Sequence, residues 1–228
     1  MGAMSRKPRA VLWDMDGTLV NTEPYWMAVE TELVESYGGT WTHDDALGLI
    51  GSNLLESGRV LQQAGVDREP AEIVDLLTDR VAERLRTQGV PFRPGARELL
   101  ADLRAQSIPT ALVTMSLRRM ALDVVARIDF TAFDLVVAGD DVERGKPFPD
   151  PYLTAAASLG IDIADAVVIE DSPTGVTSGV ASGAVTLGVP HIVSLDGFGA
   201  DELWPTLEGR TAADIIDLHT RLAKEGAR

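Results

Sequence analysis

"AVLWDMDGTLV", residues 10–20, is the stretch on which the reading of the fold turns. An apolar run leads straight into Asp14 and Asp16, one residue apart. The end of a buried strand is a costly place for negative charge unless something offsets it. In an extended chain, residues i and i+2 point the same way, so Asp14 and Asp16 are expected to share a face with Met15 turned from them. Gly17 then lets the backbone turn.

Working outward, short Val-rich runs alternate with longer amphipathic ones. Residues 9–13, 109–114, 134–139, 166–170 and 184–189 read as strands covered on both faces, because their apolar character is nearly continuous. "ARELLADLRAQ", "LRRMALDVVARI" and "PYLTAAASLG" carry helical spacing, the last opening at Asp150–Pro151 and closing at Gly160. "TAADIIDLHTRLAKEG" reads as a terminal helix, and "GVTSGVASG" places small residues at the spacing of a helix packed close on a sheet. Strand–helix–strand alternation implies an α/β fold with a parallel sheet and right-handed crossovers. Residues 21–93 break the alternation: they hold helix signals, such as "TEPYWMAVETELVESYGG" and "EPAEIVDLLTDRVAERLRTQG", and no convincing strand. The expected organisation is an α/β core of residues 1–20 and 94–228, interrupted by a helical insert of residues 21–93. Hinges are expected at residues 20–22 and 92–95.

Bulk properties exclude several function classes. A net charge of −15 over 228 residues repels polyanions, so nucleic acid is not an expected partner. The absence of cysteine removes disulfides, thiolate metal sites and cysteine nucleophiles. No apolar run is long enough to span a bilayer, and "MGAMSRKPR" is followed by no signal-peptide pattern, so the cytoplasm is the default location. His43, His191 and His219 are too scattered for a metal cluster, and "GFGADE" lacks the third glycine of a dinucleotide fingerprint.

In a parallel sheet, ligands bind beyond the carboxyl ends of the strands. Those ends carry Asp14, Asp16 and Gly17; then Thr114, Met115 and Ser116; then a loop with Lys146 between Gly145 and Pro147; then Glu170, Asp171 and Ser172. Up to four carboxylates would crowd one spot and raise one another's pKa unless a cation is present, and oxygen ligands of this kind suit Mg²⁺. Lys146 is the candidate for neutralising phosphate charge, against the alternative of a solvated surface lysine. Thr114 can cap the following helix, whose start at Ser116 and Leu117 would offer N–H groups to an anion.

"DMDGT", a strand-end Thr, "GKPFPDPY" and "VVIEDSPTG", in this order, resemble the haloacid dehalogenase superfamily of phosphotransferases. The helical insert is similar to the small mobile cap of its beta-phosphoglucomutase-like branch. The resemblance implies a Rossmann-like core with a helical cap domain. It implies Asp14 as nucleophile, forming an aspartyl-phosphate, and Asp16 as general acid/base. Thr114, with Met115 and Ser116, would hold the phosphoryl group, and Lys146 would orient Asp14. Asp14, the backbone carbonyl of Asp16, Asp171 and Glu170 would hold Mg²⁺. Dehalogenases lack the second aspartate, and residues 21–93 contain no lysine for a Schiff base. A phosphatase of a small phosphate ester, such as a sugar phosphate, is therefore the leading expectation, with a sugar phosphomutase as the alternative. Trp26 stands near the place of the mutases' cap histidine, and Leu54, in "LIGSNLLES", where their phosphate-gripping arginine is sought. Arg59, Arg118 and Arg119 remain substitutes for that arginine. A receiver-like binding module is the non-enzymatic rival. The oligomeric state stays open, with a monomer as the default.

Overall fold

Every residue of β1 (Ala10–Trp13) is buried, as its unbroken apolar character requires. The computed structural model describes residues 7–50 and 53–225. The first part of "MGAMSRKPR", and Gly51 and Ser52 of "LIGSNLLES", lie outside the described residues. β1 pairs in parallel with β2 (Thr110–Val113) on one side and with β4 (Ala166–Glu170) on the other. β3 (Leu135–Val137), β5 (Val185–Gly188) and β6 (Glu202–Leu203) complete a six-stranded parallel sheet in the order β3-β2-β1-β4-β5-β6. The period-two alternation of a strand divides its side chains between two cores. Val11, Trp13, Leu112, Val167 and Ile169 face one side, and Ala10, Leu12, Ala111, Val113 and Val168 the other.

The five expected strands are present, trimmed by a residue or more at all but Ala166–Glu170. β6 was not expected. Two residues long, it is set by pairing with β5 (Leu187 with Glu202, Gly188 with Leu203), and so short a segment carries no periodic pattern. The crossovers are α5 (Ala96–Ala105), α6 (Arg118–Val125), α7 (Asp150–Leu159) and α8 (Pro173–Ser182), with α9 (Ala212–Glu225) closing the chain. The small-residue pattern of α8 does allow close packing: a Cβ on Gly179 would lie 2.9 Å from Thr186 Oγ1 and 3.0 Å from Val168 Cγ1.

Between β1 and α5 stand α1 (Glu23–Ser36), α2 (His43–Leu47), α3 (Leu54–Gln63) and α4 (Pro70–Gln88), so the insert is helical as expected. α3 crosses α4 closely at Gly58, where a Cβ would meet the Pro70 carbonyl oxygen at 2.6 Å. The two chain passages at the root of the insert run side by side. Asn21 N–H donates to Pro91 C=O (2.7 Å), Arg93 N–H donates to Leu19 C=O (3.0 Å), and Val20 bridges Phe92.

The strand order reverses at β1, whose neighbours β2 and β4 lead away in opposite directions. The crevice beyond the carboxyl ends of the central strands is thereby opened, and the insert stands over it. One root of the insert ends at Gly95, with φ of 78°, where a Cβ would lie 2.1 Å from the Leu207 carbonyl oxygen. Gly95→Ala adds left-handed strain to a clash with fixed backbone. It should lower stability by about 2 to 4 kcal/mol in denaturant unfolding; an unchanged midpoint would contradict this account of the turn.

Candidate active site

β1, β2 and β4 deliver Asp14, Thr114 and Glu170–Asp171 to one end of the sheet, and the loop after β3 returns Lys146 to the same place. The ammonium of Lys146 uses all its donors. It donates to Asp14 Oδ1 at 2.6 Å and to the Val113 carbonyl at 2.9 Å, and it pairs with Glu170 Oε1 at 2.7 Å. It also lies 5.1 Å from the centre of the Tyr152 ring. Lys146 is therefore a buried ion-pair partner and not the solvated lysine that residue type alone suggests.

Glu170 is fully buried and fully engaged. Besides Lys146, it accepts from the Tyr152 hydroxyl (2.6 Å), the Asp171 N–H (3.2 Å) and the Ser172 hydroxyl (3.2 Å). Gly175 makes room for it: a Cβ there would sit 1.9 Å from the Glu170 carboxyl carbon. Asp171 Oδ1 accepts from the Thr18 hydroxyl at 2.9 Å, and the bare Cα of Gly17 leaves space for Asp171 Oδ2.

Asp14, Glu170 and Asp171 each offer an oxygen to a common point, these atoms lying within 4.8 Å of one another. Burial first, then the charge of Glu170, pushes the Asp14 carboxyl up to about 8 even though Lys146 pulls it down. Burial and then the charges of Asp14 and Glu170 raise Asp171 as well. Burial alone would lower the Lys146 ammonium, but Asp14 and Glu170 more than offset it and hold its pKa above the ordinary value. One ammonium thus faces three buried carboxylates. Hard oxygen donors with an excess of negative charge are the donor set that a divalent cation such as Mg²⁺ satisfies.

The Asp16 carboxylate is not part of that triad. Gly17, with φ of 88°, turns the chain straight after it, and Gly17 N–H donates to Val20 C=O at 2.7 Å. Asp16 instead accepts from Ser116 Oγ at 2.7 Å and Thr114 Oγ1 at 3.4 Å on the core side. On the insert side it accepts from Thr22 Oγ1 and from the Trp26 indole N–H at 3.4 Å. Met15 is buried away from both aspartates, as alternation demands. Thr114 Oγ1 also accepts the Ser116 N–H at 3.0 Å, and the Arg118 N–H goes to Asp140 Oδ1 at 2.9 Å. α6 starts at Arg118, directly after the expected Ser116–Leu117.

These side chains line a cleft of about 140 Å³. Asp14, Asp16, Thr114, Met115, Ser116, Lys146 and Asp171 form its floor, and Trp26, Met27, Leu49, Ile50 and Leu54 of the insert form part of its wall. Glu170 stands just behind the floor. Trp26, singled out in the sequence near the place of the mutases' cap histidine, does line the cleft, whereas Glu23, Thr22, Thr18 and Tyr152 were not foreseen as site residues. Glu23, the first residue of α1, lines the cleft, and burial and then Asp16 raise its carboxyl to about 7. Its burial depends on how α1 sits on the core, which no local pattern encodes; Tyr152, by contrast, lay within the quoted "GKPFPDPY". No arginine lines the cleft among the described residues. Arg59 pairs with Glu56, Arg118 with Asp141, and Arg119 with Asp75 and Asp79.

The Haloacid dehalogenase-like hydrolase family model matches residues 11–189. A phosphorylated carbohydrates phosphatase of Thermotoga maritima is 33% identical over 80% of this chain and 85% of its own length. Hexitol phosphatase A of Escherichia coli is 32% identical over 79% of this chain and 82% of its own length. A HAD family hydrolase of Deinococcus radiodurans, crystallised with phosphate and sodium, is 30% identical and superposes with a TM-score of 0.67, covering 97% of each chain. With its strand-end carboxylates and buried lysine gathered under a helical insert, this chain belongs to the haloacid dehalogenase-like hydrolase family.

Proposed function

We propose that the protein is a Mg²⁺-dependent phosphatase of a small phosphorylated metabolite, with a sugar phosphate as the substrate class. The observation that carries this reading is the pairing of two different carboxylates in one cleft. Asp14 is locked by Lys146 and surrounded by acid groups, while Asp16 is held nearby on neutral hydroxyls. The first arrangement suits a fixed nucleophile beside a cation, the second a proton carrier.

In the proposed reaction an Asp14 carboxylate oxygen attacks the phosphorus in line, and the bond from phosphorus to the ester oxygen breaks. Asp16 gives its proton to the departing alkoxide. Water then attacks the aspartyl-phosphate while Asp16 takes its proton back, and the bond between Asp14 and phosphorus breaks to release inorganic phosphate. Lys146 fixes the nucleophile through Oδ1, and Thr114 and Ser116 border the path of the transferring group. Asp14, the Asp16 carbonyl, Asp171 and Glu170 would hold Mg²⁺, with Glu170 also anchoring Lys146. When bound, Mg²⁺ would neutralise charge on the transferring phosphoryl group. Residues 21–93 form a cap whose apolar wall excludes water from the aspartyl-phosphate, and residues 1–20 with 94–228 form the core.

Hydrolysis is favoured over the mutase alternative because the cleft has no arginine among its described lining residues to grip a second phosphate. Trp26 also spends its N–H on Asp16 where a histidine would be sought.

Hydrolysis of sugar phosphates followed by phosphate release should fall at least about 10³-fold in Asp14→Asn, since no step survives without the nucleophile. Asp16→Asn should lose about 10²- to 10⁴-fold, the range for one acid/base group. Chelation with EDTA should abolish turnover and added Mg²⁺ restore it; activity indifferent to chelation would remove the metal from the scheme. A β-sugar 1-phosphate supplied with a bisphosphate primer should yield free sugar and inorganic phosphate. Accumulation of the 6-phosphate would instead establish the mutase.

A further inference from the structure

We propose that Glu30 determines substrate specificity by receiving a hydroxyl of a sugar or polyol phosphate at the end of the cleft away from the phosphate. The proposal rests on the phosphatase reading above and names what the cap recognises.

Glu23, Trp26, Met27 and Glu30 stand at positions i, i+3, i+4 and i+7 of α1, and all four line the cleft. Glu30 is 5% exposed, and its Oε2 accepts no well-formed hydrogen bond among the described residues; the donor beside the carboxylate is the Trp41 indole N–H, itself buried without another partner. The cleft that it lines is also bordered by the apolar Ala46, Leu49, Ile50 and Leu77, with Ser57. Leaving a carboxylate oxygen buried without a partner is unfavourable, and burial accordingly pushes this group up to about 7, eased only by the nearby Trp41 indole. Glu170 shows the contrast. It is deeper still, and Lys146, Tyr152, Ser172 and the Asp171 N–H surround it. Glu170 is held by four donors of the fold, whereas among the described residues Glu30 has only the Trp41 indole beside it.

Small-molecule sites place a few convergent polar groups in an apolar wall to orient the ligand. A carboxylate in that role accepts hydrogen bonds, so it selects a donor. It also repels a second phosphate, which agrees with a substrate carrying one. Seven residues along a helix place Glu30 about 10 Å from Glu23, which lies beside the carboxylate triad. A sugar or polyol phosphate spans that distance; a short phosphate ester leaves Glu30 without a partner.

The test compares hydrolysis of sorbitol 6-phosphate, other pentose, hexose and polyol monophosphates, and hexyl phosphate, an apolar ester of matching chain length. The wild type should prefer at least one polyhydroxylated ester over hexyl phosphate by about tenfold or more in kcat/KM, the scale of one hydrogen bond to a charged group. Glu30→Met, which keeps the size and removes the acceptor, should erase that preference while leaving hexyl phosphate within about twofold. Glu30→Gln, which keeps one acceptor oxygen, should fall between them. The melting temperature of Glu30→Met should be unchanged or raised. An equal loss on both kinds of ester with a lowered melting temperature would assign Glu30 to the structure alone and overturn the proposal. So would a wild type that hydrolyses hexyl phosphate as well as every hydroxylated ester, a result that leaves the phosphatase reading intact. Hydrolysis of none of these esters would instead overturn the phosphatase reading itself.

Discussion

The ammonium of Lys146 ties together groups that the chain places far apart. Its contacts reach Asp14 after β1, the last carbonyl of β2 and Glu170 at the end of β4, while its own loop follows β3. Four consecutive positions in the sheet order are thus joined through one buried cation. Burying an ammonium is unfavourable unless it is paired, and here every donor has an acceptor. The converse holds for the acids. Lys146 balances one negative charge of three, an excess that a bound cation would offset.

The second organising constraint is the meeting of core and insert. Asp16 is bound from both sides, by Ser116 and Thr114 below and by Thr22 and Trp26 above. Any movement of α1 relative to the sheet therefore changes what the Asp16 carboxylate touches. At the root of the insert, His191 Nε2 lies 3.0 Å from Asn21 Oδ1, and its Nδ1 meets the Arg93 guanidinium, so one core residue contacts both passages of the chain into the insert. The wall above the floor is mostly apolar, which strengthens every charge interaction beneath it by keeping water away.

Much of this was legible in the residues. Continuous apolar runs mark doubly covered strands, and the polar residues that follow them mark the end of the sheet where a ligand binds. Asp14, Thr114, Lys146, Glu170 and Asp171 were all picked out in that way, and the fold brings them to one end of the sheet. The i and i+2 rule placed Asp14 and Asp16 on one face but did not separate their environments. The turn at Gly17 ends the extended geometry on which the rule depends, and Asp16 passes to the hydroxyls. Glu23 and Glu30 were hidden for a different reason. On α1 they look like ordinary members of an amphipathic helix, and only the docking of that helix on the core decides which of its faces meets the cleft.

The sequence by itself determined the α/β alternation, the helical nature of the insert, and the residue types that face one another at the strand ends. These follow from local periodicity and from the parallel connection that alternation imposes. Tertiary structure alone decided that a lone lysine is buried among acids, that Asp16 stands apart from the carboxylate triad, and that Glu30 is buried in the lining of the cleft. Charge balance and desolvation depend on which distant segments share a volume, and that information resides in no single stretch of the chain.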